Sequence, residues 1–233
     1  MGSGASLTVE GLSVGYGQSE VIRDLSLSAM SNEILAVMGL NGMGKSTLMR
    51  TLIGILPARA GKILLGETDL SNKEAYERVA EGLAYVPQGR MVFPTLTVEE
   101  NIQAGLRSDK AQVPEELFGF FPVLKEMRKR RAGNLSGGQQ QQLAIARALA
   151  SEPKVLLLDE PTEGIQPSII KDLAGVLRSI RDRKGITIVV SEQVLSFALA
   201  IADRVLVINR GRLVHEDVRR DLDEAKLGRL LSI

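Results

Sequence analysis

Residues 39–47 read GLNGMGKST, with glycines at 39, 42 and 44, Asn41 among them, and Lys45, Ser46 and Thr47 closing the run. The spacing fits G-x-x-x-x-G-K-[ST], whose glycines let successive backbone N–H groups point into one concavity that accepts phosphate oxygens. Lys45 is placed to reach the outer phosphates of a nucleotide and the Ser46 hydroxyl to ligate Mg2+. Gly39, Asn41, Gly42, Gly44, Lys45, Ser46 and Thr47 therefore form a candidate phosphate site. A second run, KVLLLDEP at 154–161, sets two acids at the end of an apolar stretch. Asp159 suits a Mg2+ contact through water, and Glu160, one step further out, can orient or deprotonate an attacking water. A third, TIVVSEQVL at 187–195, ends four apolar or β-branched residues in Ser191, Glu192 and Gln193. Glu192 is there either a solvated strand terminus or part of a site.

Each of these runs needs a strand to hold it, because in open α/β sheets ligands bind just outside the carboxyl ends of the strands. EILAVMG (33–39), GLAYVP (82–87), KVLLLDE (154–160), GITIVV (185–190) and RVLVIN (204–209) are the strand candidates, and GRLVHE after the last reads as a hairpin. They alternate with helical patterns, which predicts βαβ units and a largely parallel sheet. SLTVEGLSV and IRDLSLSA alternate apolar with polar residues and predict an N-terminal antiparallel layer exposed on one face. TLMRTLIG continues the phosphate run as a helix, Thr97 and Glu100 form a capping box for a helix near 98–106, and Ile169, Leu173, Val176, Leu177 and Ile180 share one helical face after Pro167. Residues 92–150 lack a convincing strand and are expected to be a helical lobe inserted into the α/β core. One domain over 7–233 accounts for the chain, with MGSGAS at 1–6 read as a cloning remnant or disordered.

Composition narrows the classes. The chain has 233 residues, 44% hydrophobic, enough for one large domain. Lys and Arg number 29 against 28 Asp and Glu, so no strong field draws nucleic acid or an anionic membrane. There is no cysteine, hence no disulfide framework or thiolate metal site. No apolar run approaches the ~20 residues that span a bilayer, so a soluble protein is expected whose membrane role, if it has one, comes through a partner.

LSGGQ at 135–139 decides among nucleotide-binding classes. Ser136, two glycines and the following helix QQQQLAIARALA bring a hydroxyl, close N–H groups and a helix N-terminus to one anion. With Tyr16, the phosphate run, Gln88 after a strand, LSGGQ and LLLDEPT in that order, the sequence resembles the ATPase subunits of ABC transporters over essentially its whole length from residue 7. The resemblance implies a P-loop NTPase core, ATP and Mg2+ as cofactors, and a head-to-tail dimer. Each nucleotide in that dimer lies between one chain's Lys45 site and the other's Ser136, Gly137, Gly138 and Gln139. It implies that Tyr16 stacks on adenine and that Gln88 contacts Mg2+ and the attacking water. The stretch VPQGRMVFPTLTVEENI would receive a helix from an integral membrane permease subunit, with Met91, Val92 and Phe93 as an apolar patch or else buried in the lobe.

Two departures stand out against the family pattern. Gln166 replaces the aspartate that usually ends the DEPT stretch, and Glu192 stands where a switch histidine senses the γ-phosphate; the one histidine is His215, in the hairpin. An ionised carboxylate at ~4 Å from that phosphate meets repulsion of a few kcal/mol. Glu192 would then be protonated, act through water or Lys45, or turn away while Gln193 donates. A water-mediated Glu192 is the expectation, and a solvated strand end remains the alternative.

VPQGR, LTVEENI, EGIQPSIIKDL and SEQ are similar to importers of branched-chain amino acids and urea, with LSGGQQQQLAIARALASEPK nearest the urea type. The resemblance implies a subunit on the cytoplasmic face of a bacterial inner membrane. There it works as a homodimer or heterodimer beneath permease subunits and, indirectly, a periplasmic solute-binding protein. An export ATPase of the same fold and a low-turnover nucleotide-binding regulatory module are the rival readings; the intact Glu160 speaks against the second.

Overall fold

The structure, a computed structural model, describes residues 7–108, 110–221 and 223–231. Residues 1–6, where a remnant is expected, lie outside the described residues. In chain order the first half comprises β1 (Leu7–Tyr16), β2 (Ser19–Ala29), β3 (Ile34–Met38), α1 (Lys45–Ile53), β4 (Ala60–Leu65), β5 (Thr68–Asp69), α2 (Ala75–Glu81) and β6 (Leu83–Val86). The helices α3 (Val98–Gln103), α4 (Glu115–Phe120), α5 (Pro122–Glu126) and α6 (Gly137–Leu149) follow. The remainder is β7 (Val155–Asp159), α7 (Pro167–Lys184), β8 (Thr187–Glu192), α8 (Leu195–Ile201), β9 (Arg204–Asn209), β10 (Arg212–Val218) and α9 (Glu224–Leu230).

The strands form two sheets. β2-β1-β4-β5 is antiparallel throughout, and β10-β9-β3-β8-β7-β6 is parallel except for the β9–β10 hairpin. The chain is thus an α/β protein with a P-loop core, a largely parallel sheet and an antiparallel N-terminal layer. Strand alternation sorts the core into two layers. Leu35, Val37, Leu157, Val189, Leu206 and Ile208 face α1 and the antiparallel sheet. Ile34, Leu156, Leu158, Ile188 and Val190 face α6, α7 and the helices between β6 and β7. Covered on both faces, β3, β7 and β8 are buried along their whole length, which is why they read as unbroken apolar runs.

Two boundaries differ from the sequence reading. The helix opened by Thr97 ends at Gln103, not near 106, because Gly105 lies so close to α6 that a Cβ there would sit 2.1 to 3.0 Å from Arg147, nearest its carbonyl oxygen at 2.1 Å. β8 does not stop at Val190: Ser191 pairs with Val37 and Glu192 with Met38, so both polar residues belong to the strand and are buried. β3, β6, β7 and β8 all end on one side of the sheet, as parallel strands must, and that edge carries the loops at 39–44, 87–93 and 160–166.

Candidate functional site

The loop after β3 needs its glycines for different reasons. Gly42 (φ 79°) and Gly44 (φ 105°) occupy the left-handed region, where a side chain is strained. Gly39 instead lies against β9; a Cβ there would sit 2.6 Å from the Ile208 carbonyl oxygen. α1 begins with Gly44 as its N-cap and no side chain capping it, so the first-turn N–H groups are left to an anion. Together Val21, Asn41, Gly42, Gly44, Lys45, Ser46, Thr47, Gln88 and Glu160 line a cleft of about 260 Å3.

The cleft floor is a linked set of polar groups. Lys45 Nζ donates to the carbonyls of Gly39 (2.7 Å) and Leu40 (3.0 Å) and lies 3.0 Å from Glu160 Oε1. Ser46 Oγ donates to Asp159 Oδ1 at 3.0 Å, Ser191 Oγ to the same oxygen at 2.5 Å, and the Tyr85 hydroxyl to Oδ2 at 3.2 Å. Burial and the adjoining Asp159 carboxylate hold the Tyr85 phenol well above its ordinary pKa, so it serves as a donor at any physiological pH. Glu160 sits in the left-handed region (φ 46°), a conformation that persists only when its surroundings impose it. Here its N–H donates to the carbonyl oxygen of Ser191 (3.0 Å) and to the Ser191 hydroxyl (3.2 Å).

A hydroxyl and a carboxylate oxygen side by side are hard donors of the kind Mg2+ takes, and Mg2+ uses one or two carboxylates with phosphates and waters, not a protein cage. Among the described residues no group of three or more His, Cys, Asp or Glu could hold a metal. Ser46 and Asp159, with the Gln88 amide across the cleft, therefore fit the ion.

The chain belongs to the ABC transporter family. Residues 22–163 match that family. The chain is 41% identical over 215 residues to the high-affinity branched-chain amino acid transport ATP-binding protein BraG of Pseudomonas aeruginosa, covering 91% of this chain and 92% of the relative. It is 33% identical over 220 residues to the lipopolysaccharide export system ATP-binding protein LptB of Escherichia coli, covering 90% and 89%. A crystal structure of an ATP-binding cassette of an ABC transporter in its ADP conformation superposes with a TM-score of 0.81 at 28% identity, covering 98% of this chain and 95% of the other. The protein is an ATP-binding, ATP-hydrolysing subunit of an ABC transporter.

Against this family pattern, the structure gathers the loop at 39–47, Gln88, Asp159 and Glu160 in one cleft and leaves the other expected residues outside it. Tyr16 ends β1 and is 48% exposed. The neighbouring Arg50 is held up in pKa: burial opposes its charge, but the phenolic oxygens of Tyr85 and Tyr16 outweigh that. LSGGQ does not line the cleft of its own chain. Ser136 caps α6 by accepting from Gln139 N (3.3 Å), while the Gln139 side chain accepts from Ser136 N (2.9 Å). Gly138 has a packing reason as well, since a Cβ there would approach Ile169 to 2.8 Å.

Glu192 is not a solvated strand end. Its carboxylate is fully buried and accepts from the backbone N–H groups of Thr162 (3.1 Å), Gln193 (3.0 Å) and Val194 (3.2 Å). It does not end in solvent, because β8 carries it inside the sheet edge; Gln193 is the exposed residue there. Burial raises the Glu192 pKa against those hydrogen bonds. Ser191, Tyr85 and Arg50 were not singled out by the sequence reading. Tyr85 sits within an apolar run and Ser191 just past the end of one, and only the pairing of β6, β7 and β8 brings them to Asp159.

Proposed function

We propose that this chain powers uptake of branched-chain or related amino acids by a bacterial importer. The reading is carried by the 41% identity to a branched-chain amino acid transport subunit across nine-tenths of both chains. The urea-type run LSGGQQQQLAIARALASEPK supports urea as a second cargo class. The cleft itself does not encode direction, since LptB shares the same extent of chain.

In hydrolysis the N–H groups of the 39–44 loop and Lys45 hold the phosphates, and Asn41 and Thr47 line the same cradle. Ser46 and Asp159, with Gln88, would hold Mg2+, and the ion would supply charge neutralisation at the phosphates. Gln88 orients the attacking water and Glu160 accepts its proton. Tyr16 stacks on adenine with little selectivity for base edges. Ser136, Gly137, Gly138 and Gln139 of a second chain, identical or related, complete each nucleotide site. Permease subunits dock on the exposed Met91 (66%) and Phe93 (47%), beside a groove of about 570 Å3, and place the pair at the cytoplasmic face of the inner membrane; a periplasmic binding protein delivers solute from outside.

Vesicles containing this chain with its co-purifying membrane subunits and binding protein test the reading. ATP-dependent accumulation of labelled leucine is expected; accumulation of urea alone selects the second cargo, and ATP-driven efflux with no uptake of either overturns the importer assignment.

A further inference from the structure

The loop after Gln88 is strained and gripped from two sides. Arg90 (φ 68°) and Met91 (φ 46°) are consecutive non-glycine residues in the left-handed region, an arrangement that lasts only where neighbours enforce it. Arg90 N donates to Pro87 O and Met91 N to Gly89 O, closing two tight turns just past Gln88. From this kink the Arg90 side chain crosses to the loop that follows Glu160. Its Nη2 donates to Glu163 O at 2.7 Å and Gly164 O at 3.3 Å. The same guanidinium lies over the start of α6, where a Cβ on Gly137 would meet Arg90 Nη1 at 3.0 Å. At the far end of α6, Arg147 Nη2 donates to Met91 O (2.8 Å) and Arg90 O (3.4 Å), with its guanidinium 5.0 Å from the Phe93 ring centre.

We propose that Arg90 is a positioning residue that sets the separation of Gln88 from Glu160 by tying their two loops together. The proposal rests on the reading of Gln88 and Glu160 as the groups that flank the attacking water. Three pieces converge on one planar fork: the Gln88 loop, the 160–166 turn, and the helix that carries LSGGQ. A guanidinium bonded to two carbonyls fixes direction as well as distance, which a lysine ammonium does not. Arg147 completes the relay, so that displacement of α6 or of the exposed Phe93 surface moves the backbone of residues 90 and 91 and, through Arg90, the turn beyond Glu160. Gly137 leaves the room that the fork requires.

The test uses the full-length chain with Arg90→Ala, and Arg90→Lys as the variant that keeps stem and charge. ATP affinity by equilibrium binding is expected to stay within about threefold, because no phosphate contact is lost, while kcat falls on the order of 10²-fold, as for a misplacement near 1 Å. Hydrogen exchange without nucleotide should accelerate at residues 163–165 and stay unchanged in β7 and β8. Added guanidinium ion should restore part of the Arg90→Ala rate, and Arg90→Lys should remain defective. Wild-type kcat and wild-type exchange at 163–165 would overturn the proposal, as would an equal loss of ATP affinity and thermal stability. If the wild type releases no phosphate, the hydrolytic reading fails, and the exchange pattern alone decides whether the tie exists.

Discussion

Lys45 Nζ lies 3.0 Å from Glu160 Oε1, and the two side chains are only 3% and 6% exposed. The group expected to bind phosphate is therefore paired with the group expected to activate water. With the carbonyls of Gly39 and Leu40, Glu160 uses all three lysine donors. A phosphate entering the cleft must take at least one of them, and the natural one to yield is Glu160, which is thereby freed to accept a proton.

Lys45→Ala removes a charge-assisted contact of about 1.5–3 kcal/mol, so ATP affinity should drop roughly 10- to 100-fold. It also strands a buried carboxylate, and the melting temperature should fall; adding Glu160→Gln should recover part of that loss. Glu160→Gln alone should bind ATP at least as tightly as wild type, with Lys45 released from its competitor, and lose turnover by about 10² to 10⁴. Equilibrium nucleotide binding and phosphate release check both. Turnover near wild type in Glu160→Gln would remove Glu160 from its role.

The phosphate loop and the acids after β7 are legible in the sequence because each is a contiguous run whose spacing fixes its own geometry. The strands were legible for a related reason: burial on both faces leaves no alternation to misread in residues 155–158 or 187–190. Contacts across the fold were not legible. Ser191 reads as the start of a polar loop until β8 is paired with β3 and β7, which places its hydroxyl on Asp159. Glu192 reads as a site residue or a solvated strand end until the same pairing places it inside the sheet. Arg90 gives no signal at all, because its partners are main-chain carbonyls more than seventy positions away.

Ser191 is a sharp test of the floor of the cleft. Ser191→Ala takes one donor from Asp159 and one of two acceptors from Glu160 N, so neither acid keeps its fixed orientation. The Mg2+ concentration for half-maximal phosphate release should rise several-fold and kcat should drop about 10-fold, as is typical when a hydrogen-bonded partner behind a ligand is removed. Chelation of divalent ions should abolish release in both proteins. An unaltered Mg2+ titration would show that Ser191 does not support the Asp159 site.

Trans completion of the site can be read by mixing. Ser136 already caps α6, so Ser136→Arg loses the cap, costing about 1 kcal/mol, and fills the space a second nucleotide needs. Neither Ser136→Arg nor Lys45→Ala should hydrolyse ATP alone, but a mixture should, because a mixed dimer keeps one site with an intact Lys45 opposite an intact Ser136. Total activity of the wild type should also fall more steeply than in proportion to dilution, so that specific activity declines. Activity that persists unchanged in a verified monomer would dispose of the trans site.

Glu192 supplies a test in pH. Its carboxylate is held among the N–H groups of Thr162, Gln193 and Val194, and burial nevertheless raises its pKa above the ordinary glutamate value. A group whose folded pKa is raised contributes stability that is complete below its unfolded pKa and is lost as pH climbs through the folded value. Wild-type stability relative to Glu192→Gln should therefore decline between acidic and neutral pH. Glu192→Gln should itself be less stable at every pH, since its amide NH2 replaces an oxygen that accepts from backbone N–H groups. In turnover, Glu192→Ala should lose most activity with ATP affinity little changed, because Thr162, two residues beyond Glu160, loses its anchor. Gln193→Ala distinguishes a contact role at the exposed strand end from this anchoring role. If Gln193→Ala abolishes hydrolysis and Glu192→Ala does not, the phosphate-sensing group is Gln193, and the buried carboxylate serves the fold of β8 alone.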